Sequence, residues 1–351
     1  MISVYNLNLA NKIDSVKVSI IIPCKNEEKY IEKCVRSILN SNYPKELISI
    51  YVCDGLSDDK TVEIVTRLSK EHSQVHLLIN KAQTTPQGLN LGLKTAKSQV
   101  KIILGAHSEV DLNFLRENIN ILEKHPEVGC AGGIIENVYE NKTSEIIGLA
   151  MASQFGVGNA HFRTGAKSGI VDTVAFGAYR AEVFDKIGYF DEDLVRNQDD
   201  EFNYRLIKNG FKIFLSLKVI SLYYVRASYK KLFKQYYQYG YWKVFVNKKH
   251  STVTSVRQLI PLFFVLFLIS GAIGSFLSSY LLILSAAVLF IYFLLAAIFA
   301  SKISPKTTYT PLIISVFLIL HISYGFGYLR GLINFIILNK QPAKKSMELS
   351  R

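Results

Sequence analysis

Between Gln258 and Ser301 the chain runs for 44 residues without a charged side chain. A helix rises about 1.5 Å per residue, so about 20 apolar residues cross a hydrocarbon core of about 30 Å, and this run holds two such helices. Backbone groups inside a bilayer must be satisfied within their own segment, which makes a helical hairpin turning near Ser278-Ser279-Tyr280 the natural reading. A second uncharged run, Thr307 to Leu329, is followed by Arg330 and then Gly331–Asn339, and predicts a third span. The spans are expected at about 259–277, 281–300 and 311–337. Arg330 is costly at mid-membrane unless it faces protein or snorkels to the interface. Arg257, Lys302 and Lys306 favour a cytoplasmic side for both ends of the hairpin, and the tail cations Lys340, Lys344, Lys345 and Arg351 favour it too. Three full spans would carry that tail across, so a re-entrant or broken last segment around Gly325 and Gly327 stays open.

Charge follows the same division. Residues 226–351 hold 15 Lys and Arg against one Glu, whereas residues 1–225 hold 26 basic and 27 acidic residues. A nucleic-acid binder would spread a basic excess over a folded face; here it flanks apolar runs, as in an anchor meeting anionic membrane lipid. No nucleic-acid partner is expected. With 49% hydrophobic residues, disorder and a small stapled scaffold are both excluded. Cys24, Cys34, Cys53 and Cys130 have no CxxC spacing and read as reduced, structural thiols. The opening MISVYNLNLANKIDS has no apolar core behind positive charge, so residues 1–16 read as a short flexible lead-in and the first domain is expected in the cytoplasm.

From Lys17 to about Val219, short β-rich runs alternate with helical periodicity. The runs are VSIIIP (18–23), ISIYVCD (48–54), VHLLIN (75–80), VKIILG (100–105) and VGCAGGII (128–135), with helices expected over 28–40, 60–72, 88–97 and 112–124. Strands apolar throughout, separated by amphipathic helices, predict an α/β domain with a parallel sheet covered on both faces. Ligands of such sheets bind beyond the carboxyl ends of the strands. Polar residues stand there each time: Pro23 to Glu28, Asp54-Gly55, and Gly105-Ala106-His107. Residues 17–225 are therefore read as the catalytic domain, 226–257 as a basic, aromatic interfacial segment, 258–339 as the transmembrane region and 340–351 as a basic tail.

After the first strand, Pro23 precedes Lys25-Asn26-Glu27 at a strand-to-helix junction where helix amides can meet a ligand. The second strand ends in YVCDGLSDDKT, where Asp54 can accept hydrogen bonds from a base or ribose, Ser57 reads as a turn residue and Asp59 as a helix cap. Pro-x-x-Asn-Glu followed by Asp-Gly-x-Ser-x-Asp-x-Thr resembles the nucleotide-binding half of the family 2 glycosyltransferases. The stretch VDTVAFGAYRAEVFDKIGYFDEDLVRNQDDEFNYRLIKNGFKI is similar to the succinoglycan-type glucosyltransferases of bacterial exopolysaccharide assembly, and the likeness covers roughly 17–270. The resemblance implies a GT-A-type, Rossmann-like nucleotide-sugar domain. It implies donor contacts at Pro23, Asn26, Glu27, Asp54 (the uracil-contacting aspartate), Gly88 and Asn90 of PQGLNLGL, and Ala106.

Asn197-Gln198-Asp199-Asp200-Glu201 packs three adjacent carboxylates, which repel one another and raise one another's proton affinity, as a base for an acceptor hydroxyl requires. By resemblance that base is Asp200, with Asp199 the second choice; the other reading is an acidic helix start favoured by the macrodipole. Arg205 orients this cluster or pairs with it. The acceptor side is expected at Gly177 and Ala178 of FGAY, at Arg205, and at Gln235 and Trp242 of QYYQYGYWK. That last segment stands where processive relatives carry Gln-x-x-Arg-Trp, and Gln238-Tyr239 in place of the Arg-Trp pair favours a single transfer.

One departure concerns the metal. The resemblance implies Asp-x-Asp, or in this branch Asp-Ala-His, holding Mg²⁺ or Mn²⁺ on the donor diphosphate. Here Gly105 stands at the first aspartate and His107 remains in register. The expected function is inverting transfer of one hexosyl residue from a UDP-sugar to a lipid-linked saccharide in exopolysaccharide or capsule biosynthesis, at the inner (cytoplasmic) membrane. The alternatives are a polyprenyl-phosphate glycosyltransferase and a catalytically inactive nucleotide-sugar-binding subunit.

Overall fold

The structure, a computed structural model, describes residues 13–165, 167–254 and 256–342. The lead-in before Ile13 and the tail beyond Pro342, with Lys344, Lys345 and Arg351, lie outside these residues. The chain forms two compact units. One is Met1–Asn137 with His161–Tyr224, and the other is Val138–Ala160 with Val225–Arg351. A boundary near Arg226 was expected from sequence; the departure of residues 138–160 from the catalytic unit was not.

In the first unit the chain runs β1 (Val18–Cys24), α1 (Ile31–Leu39), β2 (Ile48–Asp54), α2 (Thr61–Glu71), β3 (Val75–Ile79), α3 (Thr85–Thr95) and β4 (Val100–Ile103). These four strands pair in parallel in the order β3-β2-β1-β4. Ile20, Ile22, Ile50 and Val52 are buried, as strands with helices on both faces require. Helix α3 approaches the sheet so closely that a Cβ on Gly92 would come within 2.7 Å of Ile21 Cγ2 and 2.9 Å of Cys53 Sγ.

The sheet then turns antiparallel, which the parallel expectation did not include. β5 (Ser108–Val110), α4 (Phe114–Lys124) and β6 (Val128–Val138) are followed by α5 (Lys142–Met151) of the second unit. The chain returns through β7 (Gly169–Val171), β8 (Ala175–Arg180), α6 (Ala181–Ile187), α7 (Gln198–Lys208) and β9 (Lys212–Tyr224). β8 inserts between β4 and β6 and runs against both, so VGCAGGII joins the sheet antiparallel to its neighbour. The four cysteines are free and buried. Burial pushes the Cys53 thiol up to about 12 and raises those of Cys34 and Cys130 as well, so all three stay protonated at neutral pH. Ile13 and Val16, expected in a flexible lead-in, are buried, and the Tyr43 hydroxyl meets the Ile13 and Val16 carbonyls at 2.8 and 2.7 Å.

The second unit contains α5, α8 (Tyr229–Lys249), α9 (Ile260–Leu277), α10 (Ser279–Ile303) and α11 (Thr310–Gly331). Three stretches, Val256–Leu277, Ser279–Ile303 and Thr307–Ile337, are helical, long and apolar enough to cross a membrane. The hairpin turns at Ser278, whose side chain accepts from the Tyr280 N–H. The last segment is not broken at Gly325 or Gly327: α11 is continuous through both and passes into a π-helical stretch, Leu332–Ile337. These glycines serve close packing instead. A Cβ on Gly327 would lie 2.0 Å from the Tyr237 carbonyl oxygen, and one on Gly240 2.0 Å from that of Tyr324.

Helix α8 is thus seated closely on α11. Trp242 and Lys243 are fully buried, while Lys230, Lys231 and Lys234 keep an exposed basic face. Replacing Gly240 by Leu drives a branched side chain into the Tyr324 backbone and is expected to destabilise this unit by about 1–3 kcal/mol. Thermal unfolding of the detergent-solubilised chain measures it; an unchanged midpoint would mean the two helices do not pack this closely.

Candidate active site

The loops after β1 and β2 are sewn together by side chains the sequence had singled out. Asp54, fully buried at the end of β2, accepts from the Ser57 backbone N–H at 3.0 Å and from the Ser57 hydroxyl. That hydroxyl oxygen also accepts from the Asn26 N–H at 2.8 Å, and the Asn26 side-chain oxygen accepts from the Asp58 N–H at 3.0 Å. Asn26 sits at φ 56°, a left-handed turn that asparagine tolerates well. One residue on, the Glu27 N–H donates to Thr61 Oγ1 at 2.8 Å and the Glu28 N–H to Asp59 Oδ2 at 3.1 Å. Asp59 also accepts from the Thr61 N–H, so it caps α2 and clamps the neighbouring loop at once.

Around this clamp the ends of β1 and β4 converge. His107 Nδ1 stands 3.4 Å from Glu27 Oε1, with both side chains largely buried. Its ring meets Tyr223 at the end of β9 edge-on, 5.2 Å between centroids. Next along β9, Tyr224 donates to Glu109 and lies under the Lys33 ammonium. Ala106 is buried beneath the site. Gly88 packs α3 against it: a Cβ there would be 3.0 Å from Asn80 Nδ2 and 3.5 Å from Pro23 Cβ.

The side chains present do not fit the aspartate–histidine pair implied for a metal at 105 and 107. Position 105 offers no carboxylate, and the direction a side chain would take is met by the Phe176 ring at 3.2 Å from a built Cβ. Among the described residues no three His, Cys, Asp or Glu side chains gather as a metal-holding group. The carboxylate beside His107 is that of Glu27.

Other expected site residues are placed in packing or clamping positions. Asn90 is buried; its amide nitrogen donates to the Phe190 carbonyl at 2.9 Å and to Glu192 at 2.8 Å, and its oxygen accepts from the Phe190 N–H at 3.0 Å. It holds the loop leading to α7. Arg205 grips buried Glu201 through two nitrogens, at 2.6 and 2.8 Å, and donates to the carbonyls of Ile187 and Tyr189. Gly177 and Ala178 lie buried within β8, where a Cβ on Gly177 would be 2.7 Å from Cys130 Sγ. Gln235 donates to the Tyr239 hydroxyl at 2.7 Å, and Trp242 packs edge-on against Tyr241 and Phe245.

Asp199 and Asp200 occupy the first turn of α7, Asp199 exposed and Asp200 half-buried. The helix is fixed to β8 by Phe202 against Tyr179 and by a 3.3 Å contact from the Tyr179 hydroxyl to Asn203. Burial, with the charges of Cys130 and Asp199, raises the Tyr179 phenol well above its ordinary value. Sequence reasoning passed over Tyr223 and Arg163, whose guanidinium lies 5.6 Å over the Tyr223 ring. Only the aromatic residues flanking Arg163 and the tyrosine pair ending β9 hinted at them.

A mixed sheet whose first four strands are parallel, with carboxylates and an imidazole at their ends, is a GT-A-type architecture. The mannosyltransferase PcManGT from Pyrobaculum calidifontis, solved with GDP-Man and Mn2+, shares it: the TM-score is 0.62 over 94% of both chains, at 14% identity. The model of glycosyl transferase family 2 matches residues 19–188. The dolichyl N-acetyl-α-D-glucosaminyl phosphate 3-β-D-2,3-diacetamido-2,3-dideoxy-β-D-glucuronosyltransferase of Methanococcus voltae is 33% identical over 90% of this chain and 97% of its own. The succinoglycan biosynthesis protein ExoA of Rhizobium meliloti (strain 1021) is 28% identical over 72% of this chain and 77% of its own. The chain belongs to family 2 of the glycosyltransferases and is a glycosyltransferase.

Two variants test the clamps. Asn90→Ala strands the Phe190 N–H and carbonyl and is expected to cost roughly 1–3 kcal/mol of stability by urea unfolding. For Asp59, burial alone would raise the carboxyl, but hydrogen bonds from the Thr61 hydroxyl and N–H and the Glu28 N–H outweigh it and hold it below the ordinary 3.8. A depressed folded value gives stability that is full above the unfolded value and lost as pH falls through the folded one. Asp59→Asn should therefore be less stable than wild type at neutral pH, with the gap closing below about pH 4. A gap independent of pH would show that the charge contributes nothing.

Proposed function

We propose that the protein transfers one hexosyl residue, with inversion, from a UDP-sugar to a lipid-linked saccharide. The observation that carries the donor half is the convergence of Asn26, Glu27, Asp54 and His107 beyond the ends of β1, β2 and β4, where an α/β sheet binds its ligand. Asp54, a hydrogen-bond acceptor at the end of β2 that holds Ser57 through two hydrogen bonds and takes a weak one from the Cys24 thiol at 3.8 Å, supports a base or ribose contact at this strand end. The acceptor half is supported by the Methanococcus voltae relative, whose name carries a dolichyl phosphate-linked sugar and whose match runs across nearly its whole length. Three helices able to cross a membrane agree with a membrane-held acceptor, since anchoring raises the local concentration of both partners.

In this reading Asp200 removes the proton of the acceptor hydroxyl as that oxygen attacks the anomeric carbon, and the nucleoside diphosphate leaves from the opposite face. Asp199 is the second choice. Arg205 and Asn90 are positioning residues that hold the turn and loop carrying this base. Any Mg²⁺ or Mn²⁺ would have to draw on His107, Glu27 and the donor itself, and no step is assigned to it. The catalytic unit faces the cytoplasm of a multi-pass inner-membrane protein, the side favoured by Arg257, Lys302 and Lys306.

The test is transfer by the full chain in detergent with UDP-hexoses, UDP-hexuronic acids and GDP-sugars, using a polyprenyl-diphosphate saccharide and polyprenyl monophosphate as acceptors. Wild type is expected to turn over a UDP-sugar onto the saccharide lipid. Asp200→Asn should bind donor normally but lose about 10²- to 10⁴-fold in kcat. Undiminished turnover by that variant removes Asp200 as the base, and transfer only to the monophosphate overturns the acceptor reading.

A further inference from the structure

The strand-end cluster is acidic. Glu27, Asp54 and Glu109 stand at the ends of β1 and β2 and within β5, and a nucleoside diphosphate adds negative charge to them. A metal would offset that charge, but Gly105 removes the carboxylate expected to hold it. A fixed cation is therefore needed from elsewhere.

Arg163 fits this need. It lies in the turn His161–Thr164, with its guanidinium 5.6 Å over the Tyr223 ring and 5.3 Å over that of Phe162. Tyr223 in turn touches His107, so a single aromatic ring links the arginine to the Glu27–His107 pair. Among the described residues no carboxylate lies within ion-pair distance of Arg163. A guanidinium held against aromatic rings still carries N–H donors for a bidentate partner, and phosphate oxygens match that fork. A second observation points the same way: His161 Nδ1 and Thr164 Oγ1, in the same turn, are buried without a hydrogen-bond partner among the described residues. Nearby lysines are engaged otherwise, Lys25 with Gln83 at 2.6 Å and Lys33 over Tyr224.

We infer that Arg163, held over the Tyr223 ring, binds a diphosphate group of the reaction and supplies the positive charge that Gly105 leaves a metal poorly placed to give. The inference rests on the reading of these strand ends as a diphosphate site. The group is the donor's own diphosphate or that of a lipid-linked acceptor, and the two sources separate experimentally.

Calorimetric titration of the full chain in detergent with UDP and with GDP, in EDTA and then in Mn²⁺, tests the donor source. Wild type should bind in EDTA; Arg163→Gln should lose about 10- to 100-fold in affinity, Arg163→Lys recover part of it, and Tyr223→Ala behave like Arg163→Gln. An unchanged thermal midpoint for Arg163→Gln excludes misfolding. If diphosphate affinity holds but KM for the polyprenyl-diphosphate saccharide rises by a similar factor, Arg163 grips the acceptor's diphosphate. Unchanged affinity and unchanged acceptor KM overturn the proposal, as does a wild type that binds neither diphosphate. A wild type that prefers GDP, with the Arg163→Gln loss intact, overturns only the UDP reading.

Discussion

The hydrogen bonds through which Asp54, Ser57, Asn26 and Thr61 tie the loop after β1 to the loop after β2 set the geometry of everything chemical in the first unit. A parallel sheet covered on both faces leaves its strand ends as the place for polar groups, and loops there are mobile unless their backbone groups are satisfied. Here each satisfies the other. Asp54 is completely buried, a position tolerable for a carboxylate only when its oxygens are hydrogen-bonded, and Ser57 supplies both an N–H and an O–H. The same serine oxygen receives the Asn26 N–H, which fixes the left-handed turn that delivers Glu27 toward His107. A substitution at Ser57 would therefore disturb the Glu27–His107 pair without touching either residue.

Much of this was legible because it is local. Apolar runs bounded by polar residues located β1 to β4 within two residues at either end, and strand-end position alone nominated Asn26, Glu27, Asp54 and His107. The antiparallel half was not legible in the same way. VGCAGGII is as apolar as a parallel strand, and what reverses its pairing is β8, a strand some 40 residues later in the chain that takes the place between β4 and β6. Gly177 and Ala178, expected by resemblance on the acceptor side, illustrate the consequence: both are buried within β8, and at Gly177 Cys130 and the Tyr179 ring leave no room for a Cβ. Glycines at 325 and 327 misled for a related reason. A glycine that permits a backbone kink and one that permits a neighbouring backbone to approach are the same letter, and only the partner helix distinguishes them.

Charge separates this chain from the pattern it otherwise follows. In the expected arrangement an aspartate at position 105 and His107 share a cation, and the cation answers the donor's phosphates. With glycine at 105, His107 is left against Glu27, and the space toward Phe176 is closed to all but a small side chain. The loss is not a simple deletion, because the aromatic residue Tyr223, adjoining His107, carries an arginine on its other side. A cation held against an aromatic ring needs no coordination sphere of carboxylates.

The excursion of residues 138–160 into the second unit bears on how that arginine is held. In the third apolar helix, His321 Nε2 lies 2.9 Å from the Phe155 carbonyl oxygen and Nδ1 2.9 Å from the Tyr292 hydroxyl. A carbonyl only accepts, so the ring hydrogen sits on Nε2, and Tyr292 must donate to Nδ1. Aromatic contacts from Phe155 to Tyr292, Phe299 and Phe317 pack around this node, and α5 is capped reciprocally by Asn141 and Ser144. Both ends of the excursion are therefore anchored: Val138 closes β6, and Ala160 is followed at once by the turn His161–Thr164. Arg163 thus follows the excursion by only three residues of chain.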